Sequence, residues 1–133
     1  MTAQTLSVAH YGHPKLRVKH WSFLLFTADG KTVAYQITGS TTTYEMKEPE
    51  VVQHLRSQSY LGRVDVGTID AARRDEFLQV LKDVNVKRGD IGWNCQNWVI
   101  DALSALKAKG FSVQELTLQD LASRLESCTK DSW

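Results

Sequence analysis

Cys95 stands in the run Gly92-Trp93-Asn94-Cys95-Gln96-Asn97-Trp98-Val99, directly before a segment with helical spacing. Val99, Ala102, Leu103 and Leu106 fall at i, i+3, i+4 and i+7, so one apolar stripe faces a core. Asn94 has the side chain of an N-cap, which puts Cys95 in the first turn. There a thiol meets the positive end of the helix dipole and unpaired N–H groups, and both favour the thiolate that attacks carbonyls. The alternative is a small buried cysteine packed between two tryptophans, since free Cys is among the most buried residue types. The local sequence leaves both readings open.

A nucleophilic thiol needs a base within reach and a third polar group to orient that base. Four histidines compete. His20 is the best placed, because it opens a core strand; a histidine there can equally be structural. His54 is second. His10 and His13 fall in a lead, residues 1–14, that reads as irregular, and both are expected at the surface. The oxyanion formed on attack needs preorganised donors. The Cys95 N–H is one candidate; the Trp21 N–H or the side chains of Asn94 and Gln96 offer a second. Trp21, Trp93 and Trp98 flank the site, either lining a substrate groove or filling core, with Trp98 the more core-like.

The elements that must hold these groups follow from patterning. Leu16 to Phe26 is a strand, with Phe23 to Phe26 apolar enough to be covered on both faces. Asp29-Gly30 marks a hairpin turn, and Thr32 to Thr38 returns as a second strand with Val33, Tyr35 and Ile37 on one side. Residues 43–46 suit a short strand, 51–57 either a short helix or a strand, and 58–66 another strand. Gly67-Thr68-Ile69-Asp70 ends that strand and opens a helix, capped by Thr68 or Asp70, with Phe77, Val80, Leu81 and Val84 as its stripe. The Cys95 helix runs to Lys109, with Gly110 as its C-terminal glycine. Phe111 to Gln114 is extended. A last helix spans Leu116 to Leu125, capped by Thr117, and residues 127–133 form a peripheral tail.

Composition narrows the function classes. The chain has 133 residues, 42% hydrophobic and 23% charged, which is enough for one domain, 1–133, with its own core. A formal net charge of +1 and no basic cluster argue against nucleic acid. No apolar run approaches membrane-spanning length, and the N-terminus lacks a signal-peptide apolar region. With two cysteines and no such signal, reduced thiols in a cytoplasmic protein are expected. No C-x-x-C or H-x-x-x-H pair is present, so no metal and no other cofactor is expected.

One resemblance gathers these features. His20-Trp21-Ser22-Phe23 on an early strand, followed by Trp93-Asn94-Cys95-Gln96-Asn97-Trp98-Val99 at a helix start, resembles the circularly permuted papain-like group. That group includes lecithin retinol acyltransferase-like proteins and the PPPDE isopeptidases, in which a histidine strand precedes a cysteine helix. Val64-Asp65-Val66-Gly67-Thr68 and the Phe77 helix also resemble the PPPDE arrangement between the two elements. The likeness spans roughly residues 19–106. It implies an α+β, permuted papain-like fold: an antiparallel sheet packed against two or three helices, with the cysteine at a helix N-terminus. It implies Cys95 as nucleophile and His20 as general base. Acyltransferase-like members carry a second histidine on the next strand; this chain has Gln36 near that position. Gln36 could orient the His20 ring, or it could be an exposed strand residue. The expected substrate is an acyl- or peptide-type molecule, a protein C-terminus among the options, attacked at an amide, isopeptide or thioester carbonyl. An acyltransferase using a lipid or small-metabolite donor, and an inactive binding module, are the rivals.

Overall fold

The computed structural model describes residues 3–12 and 19–128. Its strands are β1 (Ala3–Tyr11), β2 (His20–Phe26), β3 (Thr32–Tyr35), β4 (Ile37–Thr38), β5 (Glu45–Met46), β6 (Glu50–Val51), β7 (Tyr60–Asp70) and β8 (Ser112–Val113). Its helices are α1 (Arg74–Asp83), α2 (Cys95–Ala108) and α3 (Leu118–Ser127), with 3-10 turns at His54–Arg56 and Ala71–Arg73. Six strands form an antiparallel sheet in the order β6-β3-β2-β1-β7-β8, and β4 pairs with β5 alone. The protein is therefore α+β, with three helices against a mostly antiparallel sheet.

The N-terminal lead is the largest correction to the sequence reading. Residues 3–11 form β1, which lies between β2 and β7 inside the sheet. Its polar residues do not mark a loop: Gln4, Ser7 and His10 are all buried. Ser7 shows how. Its hydroxyl donates to Asp65 Oδ1 at 2.5 Å and accepts from Arg63 Nη1 at 3.0 Å, so a neighbouring strand supplies the partners that water would have given. His10 is thus no surface residue. His13, Leu16 and the rest of 13–18 lie outside the described residues, as does the tail from 129 onward.

Period-2 alternation sorts the strand side chains between two faces. Leu6, Val8, Trp21, Phe23, Leu25, Val33 and Tyr35 join the helices' Phe77, Leu81, Trp98, Val99, Leu103, Leu106, Leu121 and Leu125 in one buried cluster. Each such side chain contributes about 1.5–3 kcal/mol relative to an exposed one. On the other face Ala9, Leu24, Ala34 and Tyr60 form a smaller cluster, flanked by Tyr11, Phe26, Val52 and Leu55. The His54–Arg56 turn belongs to this second layer, which settles the 51–57 ambiguity in favour of a short helical turn.

Local signals end the elements where expected, with two shifts. The hairpin after β2 closes through Gly30 at φ +81°, and Thr27 N–H donates to Lys31 O at 2.9 Å. After α2, Gly110 takes φ +84° and the Phe111 N–H reaches back to Leu106 O at 3.1 Å, closing the helix with a left-handed residue. Thr117 caps α3 by accepting from the Asp120 N–H at 3.1 Å. The first shift is that β7 runs on through Gly67-Thr68-Ile69-Asp70, where a helix start was expected. Asp70 still acts as a cap, accepting from the Ala72 N–H at 3.0 Å. The second is that the return strand 32–38 breaks at Gln36. Pairing of β3 with β2 ends at Phe23↔Tyr35, so residues 20–22 of β2 have no β3 neighbour.

Candidate active site

Cys95 is the first residue of α2, as the sequence suggests. Asn94 is the N-cap: its Oδ1 accepts from the Gln96 N–H at 2.9 Å, and the Asn97 side chain accepts from the Asn94 N–H at 3.0 Å. This reciprocal box fixes the backbone at the helix start and hence the direction of the Cys95 Cα–Cβ bond. Trp98, one turn in, is fully buried edge-on to Phe23 at 5.7 Å and anchors the helix to β2.

The sulfur rests against the segment of β2 that β3 leaves unpaired. The thiol lies 3.9 Å from the Lys19 carbonyl oxygen, and Gln96 Nε2 donates to that same oxygen at 2.9 Å. From the other side of His20, the Trp21 N–H points at the sulfur, together with the N–H groups of Cys95 and Gln96. Lys19 O and Trp21 N–H lie on the same edge of an extended strand, so the backbone on both sides of His20 embraces Sγ. Tyr44 completes the surroundings. Burial raises its phenol pKa first, and a charge on Cys95 raises it further.

The imidazole of His20 is held from elsewhere. Gln36 Oε1 lies 2.5 Å from His20 Nε2. With the amide oxygen facing the ring, Nε2 carries the proton and donates it, which leaves Nδ1 as the basic nitrogen. The break between β3 and β4 is what allows this contact: it carries Gln36 past the last β2–β3 pair toward the start of β2. No hydrogen bond joins the ring to Sγ among the described residues. By alternation the ring sits with Ser22 and Ala34, on the sheet face away from the helices, beside a cavity of about 490 Å³.

The thiol's electrostatics overturn one expectation. Its pKa lies above the ordinary value, because burial outweighs the N–H groups of Trp21, Cys95 and Gln96 that favour the thiolate. Cys95 is only 8% exposed, and a charge there would lose more hydration than three N–H dipoles return. The resting group is the neutral thiol.

The remaining sequence candidates separate. Trp21 and Trp93 are buried to 2% and 4% exposure and pack in the core, and Trp21 also borders a small cavity of about 140 Å³ with Lys19 and Gln96. Trp93 stacks edge-on with Tyr44 at 5.8 Å and donates from Nε1 to Asp101 at 3.3 Å. Asn94 is engaged in capping and Gln96 in holding Lys19 O, which leaves the backbone N–H groups of Cys95 and Trp21 as the donors that face the sulfur. His54 stands across the cavity, edge-on to Phe26 at 5.5 Å and Tyr60 at 5.0 Å. Tyr44 and the cavity wall at Tyr11 had no signal in the sequence, because a lone aromatic in a short polar stretch carries no spacing to read.

No group of three or more His, Cys, Asp or Glu stands together as a metal site among the described residues, and both cysteines are free. No helix among the described residues is long and apolar enough to cross a membrane. Compared with known proteins, residues 6–112 match the model of DUF6540, a family of unknown function. No curated protein matches, and no solved structure does.

Proposed function

The chain belongs to the DUF6540 family, and we propose that it is a thiol hydrolase or transferase acting at an amide, isopeptide or thioester carbonyl through Cys95 and His20. One observation carries this reading: at a capped helix N-terminus the sulfur lies 3.9 Å from Lys19 O, the carbonyl just before His20, and the Trp21 N–H just after it favours the thiolate. The order of elements, with a histidine strand followed by a cysteine helix, fits a permuted papain-like arrangement. Free thiols fit a reducing, cytoplasmic setting.

In this mechanism Sγ attacks the carbonyl carbon while His20 Nδ1, reached around the unpaired edge of β2 between Lys19 and Trp21, takes the thiol proton. General-base assistance of this kind is worth roughly 10²–10⁴ in rate. The N–H groups of Trp21 and Cys95 stabilise the oxyanion. The bond to the leaving group then breaks, the leaving group departs with the proton from His20, and a thioester on Cys95 remains. Water or a second nucleophile attacks that thioester with the same base, releasing acid or transferred acyl product and restoring the thiol. Gln36 holds the ring so that Nδ1, not Nε2, does this work.

Burial of the sulfur and its raised pKa favour a second reading, in which Cys95 is a packed residue of a binding module. Intact-protein mass after exposure to thioesters, activated esters and ubiquitin-like electrophilic probes separates the two. The catalytic reading expects an adduct on Cys95 that His20→Ala suppresses and Cys128→Ala leaves in place. Absence of any Cys95 adduct across the panel favours the module.

A further inference from the structure

The cavity of about 490 Å³ lies on the sheet face away from the helices, and nothing in the fold requires it. Its floor is Ala34 and Val52, its walls are the rings of Tyr11 and His54, and Ser59 stands at its rim. The His20 imidazole lines this cavity, and the backbone beside it at Lys19 touches the Cys95 sulfur. Its size falls in the range of small-molecule sites, about 300–1,000 Å³.

The lining is selective by what it holds. No Lys, Arg, Asp or Glu contributes to it among the described residues. An ion entering would shed water and, among the described residues, meet only the His20 and His54 imidazoles to offset its charge, which is costly. Polar capacity is present but uncharged. Ser57 and Ser59 hydroxyls bond each other at 3.0 Å, and Ser22 Oγ is turned to the Phe23 carbonyl at 3.1 Å. An uncharged group with an apolar or aromatic body and one or two hydrogen-bonding atoms matches that surface.

We infer that this cavity binds an uncharged, compact organic group, and that on the catalytic reading above it receives the acyl part of the substrate. That second clause rests on the Cys95–His20 mechanism; the first stands without it. A carbonyl held between Nδ1 and Sγ then projects its substituent past His20 toward Ala34 and Val52. The substrate class narrows to neutral aliphatic or aromatic acyl groups, with acyl chains bearing a charge near the carbonyl bound less well by the described lining.

The test is a titration of the full-length protein, followed by amide chemical shifts at pH 8, above the ordinary imidazole range. The probes are benzamide, benzoate and benzylammonium. Benzamide is expected to shift Gly12, Ala34 and Val52 saturably in wild type and in Cys95→Ala alike, and to bind at least tenfold more tightly than either ion. Ser59→Trp, at an exposed rim position that leaves the core untouched, is expected to weaken benzamide at least tenfold. Ions binding as well as benzamide, shifts confined to other residues, or no saturable binding in wild type would each overturn the inference. A second arm compares acylation of Cys95 by p-nitrophenyl phenylacetate and by mono-p-nitrophenyl succinate. Faster labelling by the neutral ester, slowed by Ser59→Trp, supports the cavity as acyl subsite. Labelling indifferent to charge and to Ser59→Trp overturns the subsite and leaves the thiol mechanism standing. Benzamide binding with no ester reacting overturns the mechanism and leaves the cavity as the binding site of a module.

Discussion

Gln36 reaches across 16 residues of sequence to place its amide oxygen 2.5 Å from Nε2 of His20. A strand that continued straight would keep pairing with β2. The break after Tyr35 instead turns Gln36 toward the ring and leaves the edge of β2 open for the sulfur. One irregularity therefore orients the base and admits the nucleophile.

The first prediction concerns that contact. Gln36→Leu removes the acceptor and lets the ring choose either tautomer. A hydrogen bond of this kind is worth about 0.5–1.5 kcal/mol, so the rate of Cys95 acylation should fall up to roughly tenfold. Steady-state kinetics should place the loss in kcat, and Gln36→Asn should not restore the full rate because the shorter amide stops short of Nε2.

The second concerns the cap. Asn94→Ala deletes the acceptor for the Gln96 N–H, at a cost of about 1 kcal/mol. For a domain of this size that lowers the melting temperature by roughly 3–5 °C. Asn97→Ala should cost a similar amount, and the double variant less than the sum, because the two side chains form one reciprocal unit. Calorimetry on the three variants checks this.

The third uses a close approach in the sheet. A Cβ built on Gly67 would stand 2.2 Å from Ser112 O and 2.7 Å from Val113 Cα. Both contacts are backbone, so nothing flexible can yield. Gly67→Ala should destabilise by at least the 1–3 kcal/mol typical of overpacking and should loosen β8 from β7. Urea unfolding gives the first quantity. Faster amide exchange at Val113 than in wild type gives the second.

The fourth is a pH dependence. Burial lowers the His10 pKa below 6.5, the nearby Lys19 charge lowers it further, and Glu126 opposes both. Its ring also lies 3.9 Å from Cys128 Sγ. The folded protein holds this ring neutral where the unfolded chain already takes a proton. Its contribution is therefore present above pH 6.5 and is lost as the pH falls through the folded pKa. Wild type should lose stability between pH 7 and 5 more steeply than His10→Gln, as read from urea midpoints across that range.

How much of this was legible beforehand varies with the kind of signal. All three helices were, because Phe77-Val80-Leu81, Val99-Ala102-Leu103-Leu106 and Leu118-Leu121-Leu125 repeat at helical spacing; the caps of α2 and α3 are local, whereas α1 starts at Arg74 without a side-chain cap. Strand β1 was not. Gln4, Ser7 and His10 look solvated in a string of letters, and only long-range pairing of their strand with β2 and β7 makes them interior, with Asp65 and Arg63 as partners for Ser7. Tight local motifs likewise placed Asn94 and Cys95 correctly, whereas the thiol's ionisation was left open between a helix-terminus thiolate and a buried thiol, and burial raises its pKa. The helix terminus is a local property, but the burial that outweighs it comes from β2 and Tyr44, far away in the chain. The rings of Trp21 and Trp93 were open to two fates, and packing chose the core.

The most direct test of the account is the rate at which iodoacetamide alkylates Cys95 between pH 6 and 10, followed by peptide mass in wild type and in His20→Ala. A neutral resting thiol assisted by a neighbouring imidazole predicts that wild type reacts near pH 7 faster than a free peptide thiol. His20→Ala should lose at least tenfold there, while the two converge at alkaline pH where the thiol ionises unaided. Equal profiles for the two proteins, with neutral-pH rates no greater than the free peptide's, would contradict the pairing of Cys95 with His20.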